Sequence, residues 1–321
     1  MKFLHKYAGY IFLCALIVLT LKVFIPQLDE LKVSLSALKE ADLKWIVLGT
    51  IVFFTGIPIL ALQFVALALK PLKFGLTYRV EMASLFVSKL LPSVVGSISL
   101  NAYYFVKQKH TPSQAATVIA MNSLTSGVAY LTLIIIGMSV STLSLEGVAE
   151  AFSVPQNLWL FFGILLFGVL SLLHKSKALQ KRLESLWNDT KKNIQFYKNR
   201  PTAPLLGLIY NFAGSSTSLF ALYASAHSIN VDLTFAGALL AYTFGNIAAA
   251  LVPTPGGLGA TEAGIYSGLV MVGIPGPEAI IITSIYRVIT YWLPILPGYY
   301  FFWDLRKSVL SGFKIHKNYA S

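Results

Sequence analysis

Val252-Pro253-Thr254-Pro255-Gly256-Gly257-Leu258-Gly259 interrupts an apolar region running from 233 to 272, and Leu91-Pro92-Ser93-Val94-Val95-Gly96 interrupts another from 80 to 105. Proline lacks a backbone donor and clashes with the preceding turn, while glycine permits a reversal, so neither region reads as a plain crossing helix. Three readings are open for each: one kinked crossing, two full crossings, or a re-entrant hairpin that enters and leaves on the same face. Non-helical backbone at membrane depth must be buried in protein or line a wet cavity. Both breaks therefore face the interior of a bundle.

The surrounding sequence makes the bilayer the solvent. Of 321 residues, 56% are hydrophobic and 12% charged, against about a quarter charged in soluble domains. Apolar stretches at 7–24, 45–69, 115–140, 158–173, 203–229 and 279–303 match the roughly 20 residues that a helix needs to cross a bilayer. Lys and Arg number 25 against 13 acids, yet they flank apolar runs instead of forming a nucleic-acid face, so they read as topology and no nucleic-acid partner is expected. The single cysteine, Cys14, lies inside the first apolar run and allows neither a disulfide framework nor a cysteine metal site. No small-x-small cleavage site follows before Lys22, which predicts an uncleaved first helix.

Charge selects among the readings of the breaks. With both as hairpins and the N-terminus cytoplasmic, the cytoplasmic segments hold 19 of the 25 basic residues, including the eight between Lys175 and Arg200. The opposite face holds Lys22, Lys32, Lys39 and Lys44 against eight acids, as the positive-inside rule requires. A single crossing at 80–105 would move the Lys175 to Arg200 segment outside, so an even count is favoured there. Arms of about 12 residues are too short for full spans.

The predicted architecture is an all-α polytopic membrane protein with six full transmembrane helices plus two re-entrant broken-helix hairpins in an inverted repeat. Along the chain this gives a first transmembrane helix (1–27), an outer interfacial segment (28–44), a first repeat (45–140, hairpin about 80–106) and a connecting loop and helix (141–173). A basic cytoplasmic connector (174–202), a second repeat (203–303, hairpin about 233–273) and a basic cytoplasmic tail (304–321) follow. Interrupted segments at corresponding positions of two halves point to a transporter's binding site, although such breaks also serve as packing devices. The stretch 174–201, where Trp187 and Phe196 lie among basic residues, reads either as an anionic-lipid contact or as a solvated connector.

Charges inside membrane segments cost roughly 2.5 to 3.5 kcal/mol each on insertion scales and mark interior positions. Here they are Lys89, Glu262 and Arg287, with Glu81 nearer the cytoplasmic edge. Glu262 and Arg287 can form a purely structural ion pair. Alternatively the planar fork of Arg287 binds an anionic head group while Glu262 orients it or meets a cationic group, and Lys89 either adds a second phosphate contact or snorkels. Hydroxyl and amide clusters at Asn122, Ser123, Thr125 and Ser126 and at Asn211 to Ser218 serve helix packing or a hydrated head-group path. The five histidines lack metal-ligand spacing, and Gly256 to Gly259 is not followed by the Lys-Ser/Thr of a P-loop. No cofactor and no enzyme activity are expected.

The run from Leu251 through Pro253, Pro255, Gly256, Gly257, Gly259 and Glu262 to Gly264, followed by Gly273-Ile274-Pro275 and Ser284-Ile285-Tyr286-Arg287, resembles the flippase-like family named after the transmembrane domain of lysylphosphatidylglycerol synthases. The lead-in at 28–48 and the break at 90–96 look like that family too. The resemblance implies a multi-pass protein of a bacterial or archaeal cytoplasmic (inner) membrane, with both termini cytoplasmic, that moves lipids or lipid-linked sugars between leaflets. It places the substrate-binding motif on Pro253, Pro255, Gly256, Gly257, Gly259, Glu262 and Arg287, while the first half departs from the family pattern; there the candidates are Lys89, singled out by its charge, and Asn101. Many family members have an arginine where this chain has Asn101. Because the aminoacyl-transferase domain of the synthases is not found in the sequence, lipid aminoacylation is not inherited.

The expected function is translocation of an anionic phospholipid or polyprenyl-phosphate-linked substrate, its head group passing through a polar groove between the hairpins. The alternative is a membrane accessory or scaffold for a glycosyltransferase or envelope-lipid pathway. Either reading admits a homo-oligomer or an envelope-biosynthesis partner.

Overall fold

The structure, a computed structural model, describes residues 41–90, 93–140, 177–252, 254 and 256–308, and every regular element among them is helical. The apolar stretches at 7–24 and 158–173, the prolines Pro92, Pro253 and Pro255, and the tail from 309 lie outside the described residues, as does the interfacial segment up to 40. In chain order the helices are α1 (Leu43–Leu67), α2 (Phe74–Leu90), α3 (Ser93–Lys107), α4 (Pro112–Val140), α5 (Lys177–Asn199), α6 (Thr202–His227), α7 (Phe235–Leu251), α8 (Ala260–Met271), α9 (Gly276–Arg287) and α10 (Ile295–Ser308). A π-helical turn, Val288–Trp292, joins α9 to α10. Among the described residues, four helical segments are long and apolar enough to cross a membrane: Leu43–Leu67, Pro112–Gly137, Thr202–His227 and Gly276–Arg306. They correspond to the predicted stretches at 45–69, 115–140, 203–229 and 279–303.

The centre of the fold is the antiparallel pair α1 and α6. Gly49 lies against Ala221 and Ala224, Gly56 against Gly214 and Thr217, and Leu67 against Gly207. Small residues suit this position because apolar side chains gain little by leaving lipid, so helix association rests on close van der Waals approach. The ends of the pair are tied as well: Asp42 caps α1 by accepting from the Lys44 N–H at 2.9 Å, and its own N–H donates to the Ser228 carbonyl at 2.6 Å.

Around this pair the two broken regions form helical pairs, α2 with α3 and α7 with α8. Three of the four arms are longer than the expected 12 or so residues: α2 has 17, α3 15 and α7 17, while α8 has 12. At helical rise, 17 residues reach about 25 Å, which is short of the roughly 30 Å hydrocarbon core but well beyond half of it. The polar flanks explain the difference. Tyr78, Arg79 and Glu81 read as boundary residues in hydropathy but continue the helix, since none of them breaks it.

The halves pack crosswise. α2 lies along α10, with Phe86 against Tyr299 and Phe302 and Arg79 paired with Asp304 at 3.2 Å. In the other direction α7 lies on α4, where Gly137 meets Leu239 and Leu240.

Two further departures from the sequence expectation matter for the site. The last apolar stretch is two helices, not one, because Pro294 has no N–H and its ring would strike the Thr290 carbonyl in α-register. The chain widens instead, and the Leu293 N–H reaches back five residues to Val288 at 3.0 Å. The basic segment at 174–201 contains α5, whose C-terminal part is docked: the Tyr197 hydroxyl donates to the Leu67 carbonyl at 2.7 Å, and Asn193 donates to Ser113 and Thr117 of α4.

Candidate functional site

The turn between α7 and α8 is held by backbone conformations open to glycine. Gly256, Gly257 and Gly259 have φ of 62°, 71° and 78°, a region where a Cβ collides with the following carbonyl. The turn closes on itself, with the Gly257 N–H donating to Thr254 O at 3.0 Å and the Thr254 hydroxyl to Leu258 O at 2.7 Å. This geometry starts α8 at Ala260 and puts Glu262 in its first turn, where the helix dipole favours a carboxylate. Arg287 stands at the opposite kind of terminus, the last turn of α9, where the dipole favours a cation.

The two side chains meet. Arg287 Nε lies 2.5 Å from Glu262 Oε1, with the side chains 9% and 18% exposed. The contact is an ion pair, and among the described residues Glu262 Oε2 has no hydrogen-bond partner. Arg287 also makes a long contact, 3.4 Å, to the Gly256 carbonyl.

Tyr291 joins this pair to the first half of the chain. It follows Arg287 by one turn, and the Arg287 guanidinium lies 4.5 Å from its ring centroid. Lys89, from the end of α2, brings its Nζ to 4.6 Å from the same centroid. Both distances are within cation–π range. Gly256 leaves the space for this contact, because a Cβ there would sit 2.5 Å from Tyr291 Cε2 and 3.3 Å from Lys89 Cδ. The cluster sets two basic side chains, Arg287 and Lys89, against one carboxyl, Glu262, and among the described residues the buried Tyr291 hydroxyl has no hydrogen-bond partner. The cluster can accept a monoanion such as a phosphodiester through two cations and a hydroxyl.

Of the residues expected at the site, Glu262, Arg287, Lys89 and Gly256 come together. Gly257 and Gly259 shape the turn, and Pro253 and Pro255 lie outside the described residues. Asn101 sits elsewhere, on α3, where its side chain faces the carboxyl of Glu81. Tyr291 was missed by sequence reasoning. Its only signal is the four-residue spacing from Arg287, which an aromatic in an apolar run shares with many packing residues. The polar clusters of α4 and α6 bond to each other: Asn211 donates to Thr125 at 3.2 Å and to Ser126 at 2.9 Å, and Gln63 of α1 donates to Asn122 at 2.6 Å. Those contacts are helix packing. Among the described residues no three His, Cys, Asp or Glu converge as metal ligands.

A family model described as the lysylphosphatidylglycerol synthase TM region matches residues 10–298. A UPF0104 membrane protein of Methanocaldococcus jannaschii is 25% identical over 230 residues, covering 70% of this chain and 97% of that protein.

Proposed function

The chain belongs to the lysylphosphatidylglycerol synthase transmembrane-region family, multi-pass membrane proteins in a lipid-related setting, and from that premise we propose that it moves a lipid or lipid-linked sugar between leaflets. One observation carries the reading: Lys89 from the first broken region and Arg287 with Glu262 from the second converge on Tyr291. Charges at membrane depth are retained where they meet substrate or one another, and this group holds two basic side chains against one acidic one. The head group of an anionic phospholipid or a polyprenyl-phosphate-linked sugar enters there, while its acyl chains stay in the bilayer.

Crosswise packing of α2 on α10 and of α7 on α4 supports reading the halves as an inverted repeat, each hairpin leaning on the other half's last helix. Both termini are cytoplasmic in this reading, the substrate undergoes no covalent change, and opening alternates between the two faces. Vesicles reconstituted with the full chain and acyl-labelled phosphatidylglycerol test it. Wild type redistributes the label between leaflets and Arg287→Ala does not. Equal redistribution by the two proteins removes Arg287 from the mechanism.

A second reading, as an accessory of an envelope-lipid pathway, is favoured by α5. While Tyr197 is buried, Trp187 is 59% exposed and Ile194 38%, with Lys191 5.4 Å from the Trp187 ring. Trp187→Ser combined with Ile194→Ser separates the readings: translocation survives it, and docking of a partner protein does not.

A further inference from the structure

α2 carries a second polar cluster, which the head-group site leaves unused. Thr77, Glu81 and Ser84 follow one another at spacings of four and three, so they share a helix face, and they are 0%, 9% and 5% exposed. Asn101 of α3, 1% exposed, faces the Glu81 carboxyl. Thr77 is satisfied by a 2.8 Å hydrogen bond with the Tyr104 hydroxyl. Among the described residues Ser84 Oγ has no hydrogen-bond partner, and the side chain that meets the Glu81 carboxyl is that of Asn101.

The elements packed on α2 bring no cation to Glu81 among the described residues. α3 presents Asn101 and the neutral Tyr104 hydroxyl, and α1 has no titratable side chain between Trp45 and Leu67. α10 brings Tyr299 against Phe86, and its Asp304 pairs with Arg79 at the exposed edge. Lys89, eight residues further along α2, points its Nζ at Tyr291. An isolated buried carboxylate is strongly unfavourable, whereas a neutral carboxylic acid is not. The acid also fits its neighbour: its O–H donates to the amide carbonyl and the amide N–H donates back to the acid carbonyl, while a carboxylate offers acceptors only.

We propose that Glu81, seated against Asn101 on the first hairpin, is a proton-binding site that couples lipid movement to a proton gradient. The coupling rests on the translocation reading; the site does not. Water on one face supplies the proton to the Glu81 carboxylate, the neutral acid stays inside while the hairpin reorients, and water on the other face takes the proton back. Glu81 and Lys89 are about 12 Å apart along one helix, so an α2 displacement that hydrates Glu81 also shifts the Lys89 end of the head-group cluster.

The site is tested by infrared difference spectroscopy of the purified full chain at neutral pH. Wild type minus Glu81→Gln shows the carbonyl stretch of a protonated carboxylic acid, which shifts in D2O and moves again in Asn101→Leu. Gln keeps the shape and pairs with Asn101 as an amide, so Glu81→Gln folds, as its melting temperature verifies. The coupling is tested in phosphatidylglycerol and phosphatidylethanolamine vesicles carrying acyl-labelled phosphatidylglycerol: a pH gradient accelerates redistribution by wild type, and the acceleration is lost in Glu81→Gln. A missing carboxylic-acid band overturns the proton site, as does a response to a sodium gradient in place of the pH gradient. A band with identical gradient responses in wild type and Glu81→Gln overturns the coupling. Wild-type vesicles that move no lipid under any gradient sink the translocation reading and the coupling together, while the infrared band still decides the site.

Discussion

Removing one member of the Glu262–Arg287 pair leaves the other buried and uncompensated, which typically costs about 3–5 kcal/mol, whereas removing both charges often costs little. Glu262→Gln and Arg287→Gln are therefore expected to lower the melting temperature in detergent, and the double variant to recover most of the loss. If the pair only holds the fold, lipid translocation recovers with stability. If Arg287 binds the head group, translocation stays lost in a stable double variant. Gly256→Ala probes the same site from the backbone: φ of 62° costs an L-residue about 1–2 kcal/mol, and the new Cβ pushes into Tyr291. It should reduce translocation as Tyr291→Leu does, while Tyr291→Phe, which keeps the ring but not the hydroxyl, retains the cation contacts. At this scale the sequence was readable wherever a residue was costly in a membrane. Glu262, Arg287 and Lys89 stood out because charges in apolar runs demand partners. Tyr291 was invisible because an aromatic ring there demands nothing. Asn101 was singled out through family resemblance, yet its neighbour proved to be Glu81, because partners across a hairpin depend on register, which hydropathy does not fix.

Prolines and glycines located the breaks but did not measure the helices beside them. The longer α2 follows from helix-compatible polar residues that hydropathy counts as boundary, and the division of the last span follows from Pro294, whose steric conflict with Thr290 is met by the π-helical turn. That turn immediately follows Arg287, and π-turns are frequent at functional sites. Pro294→Ala restores a donor at 294, removes the conflict and allows ordinary α-register, which rotates Tyr291 relative to α10. The expected result is a stable protein with impaired translocation; a variant that translocates normally would make the turn a packing feature only. The loop between α3 and α4 has its own polar lock. The Lys70 N–H donates to His110 Nε2 at 3.1 Å and the Lys70 ammonium reaches the Lys109 carbonyl, while burial holds the imidazole below its ordinary pKa. Because the folded chain resists protonating His110, the unfolded chain takes the proton first as pH falls through about 6.5. Stability is consequently lost below that point and is not affected above it. Melting temperatures measured between about pH 7.5 and pH 5.5 should fall less steeply for His110→Gln, whose amide oxygen can still accept from Lys70.

The α1–α6 seam and the crosswise contacts determine what can move in the whole molecule. Gly56 approaches Thr217 so closely that Gly56→Leu would have to part the two central helices, so that variant reports on assembly, not mechanism. The hairpins lie outside the seam, each on the last helix of the other half, and alternating access requires one of these contacts to slide. A Cβ at Gly298 lies 3.0 Å from Phe86 Cβ and equally close to Met82 O and Phe86 N, so α2 and α10 must part by a fraction of an ångström for the Cβ atoms to reach the roughly 3.8 Å of an ordinary disulfide. In a Cys14→Ser background, Phe86→Cys with Gly298→Cys should oxidise readily and tie α2 to α10. Translocation of acyl-labelled phosphatidylglycerol is expected to stop in the oxidised protein and return with reductant, since the bond joins the hairpin carrying Glu81 and Lys89 to the helix that follows Arg287 and Tyr291. Undiminished translocation by fully cross-linked protein would mean that α2 and α10 travel as one body, and would put the moving boundary at the other crosswise contact, α7 on α4. The four described spans and their order were readable from hydropathy and charge. The crosswise pairing was not, because it depends on which residues face each other across elements about 100 and about 200 residues apart in sequence, a relation that no local pattern encodes.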